Sequence, residues 1–151
     1  MEWYARYVWT KVDAEGKPSE PPRVLPSSPD NLCGQSMKPG CYYGIGTDSS
    51  VSHSIWVYPQ NFEYLEIEII DHELTHALLR NDPTIGACLA NAADVYAADK
   101  SCSHGDTFKE KLAEVESLFA DYKSRKREES FQWIHNNCNS VCPEIKQHVH
   151  R

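Results

Sequence analysis

The stretch that most constrains this chain is one long apolar helix pattern carrying two histidines. From Phe62 to Arg80 the sequence reads FEYLEIEIIDHELTHALLR. At helical spacing Leu65, Ile69, His72, His76 and Leu79 fall on one stripe, while Ile67, Ile70, Leu74 and Leu78 cover another. Apolar residues on both stripes require a helix buried on most sides, so the rest of the chain must wrap around it. Asn61 is placed to cap its start.

His72 and His76 are four residues apart and so share a face, where both imidazoles can reach one ion at about 2.0–2.1 Å. Glu73 follows the first histidine and is offset around the helix, outside the ligand pair but in reach of a water beside it. A carboxylate there can serve as general base for that water and return the proton to a leaving amine. The plainer reading is a core helix whose histidines are satisfied by hydrogen bonds, and a third ligand decides against it. His104 is the first choice, because it precedes Gly105 at the start of the next helix, which Phe108 and Leu112 anchor. Asp94 and Asp99 are its rivals, and Asp82 is already explained as a helix cap before Pro83.

Elsewhere, EWYARYVWT is aromatic and β-branched with partial alternation, which predicts a strand, and the proline-rich EGKPSEPPRVLPSSPD predicts an extended loop. Turns pinned by a bridge are expected from Cys33 to Ser50, then a strand in VSHSIWVYP. After Pro83 the alanine-rich TIGACLANAADVYAAD reads as helical, Ser103 with Asp106 resembles a capping box, and a helix carrying Phe108, Leu112, Val115, Leu118, Phe119 and Tyr122 follows. KSRKREE reads as its solvated end, with Glu110 likewise in solvent, and SFQWIHNNC as a last short helix. Strands before helices in 151 residues indicate a single α+β domain, with a short, mostly antiparallel sheet packed on the histidine-bearing helix. Its parts are residues 1–50 (strand and Pro/Gly/Cys-rich loops), 51–127 (core) and 128–151 (C-terminal helix and tail).

A net charge of −7 argues against nucleic acid as a partner. No apolar run is long enough to span a membrane and no signal peptide is visible at the N-terminus, so a soluble protein is expected. Six cysteines are many for a cytosolic domain of this size. Pairing sequence neighbours gives three short loops, which favours an extracytoplasmic or delivered location. Cys138 and Cys142 lack the second pair that a zinc ribbon needs.

HELTHALL followed by HGDTF resembles the SprT-like zinc metallopeptidases and related zincins. The likeness covers roughly Ser54 to Leu118, with SIWVYP resembling the edge strand that borders the active-site helix in such folds. It implies a small zincin-like domain, Zn2+ held by His72, His76 and His104, Glu73 as general base, and hydrolysis of peptide bonds in a peptide or protein substrate. On that fold His53 or Tyr58 could point into the cleft and Tyr96 could assist the oxyanion. Between His76 and His104 lie 27 residues, longer than the usual interval, and they hold Cys88 and Cys102. An inserted helix closed by that cysteine pair accounts for the extra length. NAADVYAAD is also similar to the aspartate-ligand zincins, which keeps Asp94 as an alternative. Two other readings are a zinc hydrolase acting on a cell-wall peptide or other amide, and a non-catalytic zinc-stabilised binding domain.

Overall fold

The computed structural model describes residues 1–31, 33, 36–46 and 51–141, the last three by backbone alone. Its N-terminal segment is a helix, α1 (Glu2–Lys11), and not the strand expected from its residue types. Tyr4, Ala5, Val8 and Trp9 are buried, with Val12 after them, a spacing that keeps one helical stripe against the core. Tertiary packing of that stripe outweighs the β preference of the individual side chains.

The proline-rich stretch contributes a short strand, β1 (Arg23–Pro26), where only loop was expected. With β2 (Gly40–Ile45) and β3 (Ser52–Val57) it makes a three-stranded sheet in the order β1-β3-β2. β1 pairs parallel to β3, Arg23 opposite Ser54, and β2 pairs antiparallel to it, Gly40 opposite Val57 and Ile45 opposite Ser52. The sheet is therefore mixed, and SIWV is its central strand. The edge on the helix side is β2.

The long helix α2 (Glu63–Leu78) forms where its pattern predicts and buries Ile67, Ile70, Leu74 and Leu78. Phe62, not Asn61, occupies its cap position without a side-chain bond, and Glu66 reaches back to accept the Gln60 N–H at 3.0 Å. One apolar core unites α1, β3 and α2 through Tyr4, Val8, Ile55, Ile70, Leu74 and Leu78, and Val115 joins it from the following helices.

Asp82 caps α3 (Pro83–Ala90), its side chain accepting from the Ile85 N–H, with Pro83 in the first turn as expected. The alanine-rich stretch is not helical throughout: α3 ends at Ala90, and a short α4 (Val95–Ala97) then runs into a π-helical turn (Ala98–Ser103). Helix α5 (Asp106–Glu116) then starts from Gly105, with no side-chain cap from Ser103. A β-carbon on Gly105 would lie 2.2 Å from the Ser101 carbonyl oxygen, so this start requires glycine.

The expected continuation of α5 to Tyr122 is interrupted. Phe119 has φ +52°, and its ring packs against Tyr7 at 4.4 Å, with Trp3 and Tyr4 within about 6 Å. These ring contacts on α1 hold a left-handed residue that otherwise costs roughly 1–2 kcal/mol. The chain turns there into α6 (Ala120–Val141), which absorbs both the charge run and the expected last helix. KSRKREE is thus the mostly solvated interior of a helix and not its end. Its Lys123 donates to the Asp71 carboxylate at 2.8 Å and to the Val115 and Glu116 carbonyls that close α5.

Two disulfides lie wholly within the described residues, Cys33–Cys41 and Cys88–Cys102, both between sequence neighbours. The third neighbouring pair falls on Cys142, outside the described residues. No helix among those described is long and apolar enough to cross a membrane.

Candidate metal centre

The stripe of α2 that is not spent on the core lines an open cleft of about 970 Å³, together with Lys38–Tyr42 before and on β2 and with His104. Leu65, Ile69, His72, His76 and Leu79 all face it, as their spacing predicts. β2 approaches α2 closely because it has glycine at the contact. A β-carbon on Gly40 would lie 2.3 Å from Ile69 Cγ2 and 3.4 Å from Glu73 Cγ.

Within the cleft the Nε2 atoms of His72, His76 and His104 converge. The three separations are 3.2 Å (72 to 76), 3.1 Å (76 to 104) and 3.3 Å (72 to 104). Hydrogen bonding cannot account for this triangle. Each ring nitrogen carries either a proton or a lone pair, so among three mutual neighbours at least two share a role and repel. One cation facing three lone pairs removes the conflict. Three nitrogens at 2.0–2.1 Å from an ion in tetrahedral geometry lie about 3.3–3.4 Å apart, close to what is seen. The residues therefore fit a metal ion, and these three histidines are the only such group among the described residues.

Neighbouring groups prepare the histidines for that role. Asp99 Oδ1 accepts from His104 Nδ1 at 3.1 Å, which leaves the Nε2 lone pair free. The Phe108 ring lies beneath all three imidazoles, with centroids 4.9, 4.5 and 5.0 Å from those of His72, His76 and His104. Burial, reinforced by His104, holds the His72 pKa below its ordinary value. His76 is pushed down to about 3 by burial first and then by His72 and His104, against the opposing pull of Asp99. Neutral imidazoles are what a metal requires.

Glu73 lines the same cleft and is only 8% exposed. Burial raises its pKa to about 7, with the Lys38 charge acting the other way. A cation on the histidines would act in the same direction as Lys38 and favour the carboxylate.

Of the rivals for third ligand, Asp94 caps α4 by accepting from the Ala97 N–H at 2.8 Å, and Asp99 orients His104 instead of joining the triad. Tyr58 and Tyr96 are exposed and do not line the cleft. His53 is buried, bonded to Tyr42 Oη through Nδ1 and to the Glu20 carbonyl through Nε2. Lys38, Tyr42 and Arg80 are among the cleft residues that the sequence did not single out. Arg80 was findable, since it stands four residues beyond His76 on the same face. It donates to the Gly44 and Gly46 carbonyls and lies over the Tyr42 ring.

No protein-family model matches this chain, and no curated protein or solved structure matches it.

Proposed function

We propose that this chain is a zinc-dependent metallopeptidase of the zincin type, resembling the SprT-like group. The observation that carries the reading is the convergence of three histidine Nε2 atoms beside a buried glutamate, all on an open cleft. A purely structural metal site is closed by protein on every side, whereas this triad opens to solvent space large enough for a substrate.

His72, His76 and His104 would hold the metal, which supplies Lewis acidity: it acidifies a water and polarises the scissile carbonyl. Glu73 takes the proton from the attacking water and delivers it to the leaving amine. Burial raises its proton affinity, and a cation on the histidines would lower it again, towards the carboxylate that takes the water's proton. Asp99 keeps His104 in the tautomer that ligates, and Phe108 keeps bulk water from the underside of the rings.

The cleft follows α2 from Leu65 to Arg80, about 22 Å at 1.5 Å per residue, enough for roughly six extended residues. β2, an edge strand, lines it and offers backbone groups to an extended chain, the role expected at first for SIWVYP. These features favour a peptide or protein substrate. The two disulfides support an oxidising, extracytoplasmic or delivered location.

The test is zinc-loaded chain against protein, free peptide and cell-wall peptide substrates, with products identified by mass spectrometry. Hydrolysis should fall about 10²- to 10⁴-fold in Glu73→Gln while zinc stays bound. Undiminished turnover in that variant refutes the assigned base, and no turnover of any amide refutes the peptidase reading.

A further inference from the structure

Segment 83–103 leads directly into the third histidine, yet it is poorly buried. α3 and α4 contribute no buried residue, and Leu89, Val95 and Tyr96 are 44%, 86% and 72% exposed. The one buried side chain of the segment is Cys102. So little apolar burial does not offset the conformational entropy of ordering the segment.

Its restraint is covalent. The Cys88–Cys102 disulfide joins α3 to the π-helical turn two residues before His104, with Cα atoms 5.6 Å apart. The direction of the His104 ring is set inside the same turn, where its N–H and its Nδ1 both bond to Asp99. After His104 the chain is fixed differently, by burial of Phe108 in α5. Packing holds one side of the ligand and a disulfide holds the other. His72 and His76 need no such bond, because α2 is seated in the core by packing.

We infer that the Cys88–Cys102 disulfide is the positioning element for His104, so that tight metal binding at the triad requires the oxidised chain. This rests on reading the three histidines as a metal site. With both thiols free, segment 83–103 is released, and the population with His104 facing the other two ligands falls. The bond forms when the two thiols give up two protons and two electrons to a disulfide oxidant such as oxidised glutathione, which leaves as two thiols. A chain in a reducing compartment therefore holds metal weakly and gains its tight site on reaching an oxidising one. The Cys33–Cys41 disulfide, on the β2 side of the cleft, supplies no ligand and serves as the internal control.

Zinc affinity of the full chain, measured by competition with a chromophoric chelator, tests this. Cys88→Ser/Cys102→Ser should weaken zinc about 10- to 100-fold, and Cys33→Ser/Cys41→Ser should stay within about threefold. Cobalt(II) should give strong tetrahedral absorption in the oxidised chain, falling in the first variant towards the spectrum of His104→Ala. Unchanged affinity and spectrum in Cys88→Ser/Cys102→Ser overturn the inference. A reciprocal measurement uses no cysteine variant: if the bond favours zinc, zinc must protect the bond by the same factor. In glutathione buffers read by thiol alkylation and mass spectrometry, zinc should shift half-reduction of Cys88–Cys102 about tenfold or more in the unmodified chain, and not in His104→Ala. Absence of that shift in the unmodified chain overturns the inference equally. A different failure, oxidised wild-type chain binding zinc no better than His72→Ala/His76→Ala, overturns the metal-site reading itself.

Discussion

Lys123→Met removes the cation from a buried carboxylate, and its cost follows from the partners each atom loses. The Asp71 side chain is 3% exposed and that of Lys123 17%. Tyr4 Oη donates to one Asp71 oxygen and Lys123 Nζ to the other. Lys123 also closes the end of α5 through the Val115 and Glu116 carbonyls, so one ammonium joins α2, α5 and α6. Methionine keeps much of the stem and removes the charge, leaving a buried carboxylate with a single donor. Breaking a buried pair in this way costs about 3–5 kcal/mol. For a chain of this length that corresponds to a fall in Tm of roughly 10 °C or more. Urea unfolding followed by circular dichroism, with chelator present so that metal linkage does not contribute, measures it. In Lys123→Met/Asp71→Asn the orphaned charge is gone, and stability should recover by about 2 kcal/mol or more relative to Lys123→Met alone. A cost below about 1 kcal/mol, or additive effects in the double variant, would refute the assignment of a buried, coupled pair.

Asp99→Ala should weaken zinc about 10- to 100-fold by freeing the His104 ring, as read by chelator competition. Gly40→Ala places a methyl against Ile69 and beside Glu73. It should lower stability by about 1–3 kcal/mol in urea unfolding and reduce turnover, with zinc affinity unchanged because no ligand lies on β2. Burial lowers the pKa of His53, so the folded state binds fewer protons there than the unfolded state. The stability linked to His53 is present above the ordinary histidine pKa of about 6.5 and is lost as pH falls from there towards the folded value. Tm scans of metal-free protein from pH 8 to 5 should decline less steeply in His53→Gln, and an identical slope would rule out the linkage.

The α2 helix was legible because its information is local. Residues 65, 69, 72, 76 and 79 face the cleft and 67, 70, 74 and 78 the core, each at its helical period. His104 was legible for a related reason: a histidine before glycine at a helix start has few directions available. α1 was misread because aromatic and β-branched residues occupy a helical stripe there, and only the core packing separates the two periods. β1 could not be seen in a proline-rich stretch, since its pairing partner, β3, lies some thirty residues away.

What the amino-acid order determined by itself, then, is the local chemistry: two histidines and a glutamate on one helix, with a third histidine at the start of another. Short-range periodicity and capping suffice for that, because they depend on residues within a few turns of one another. Tertiary structure alone decided how these groups meet. It made β2 the cleft-side edge of the sheet and set Lys123 beneath Asp71. Those outcomes depend on contacts between residues far apart in the chain, whose geometry is fixed only once the core has closed around α2.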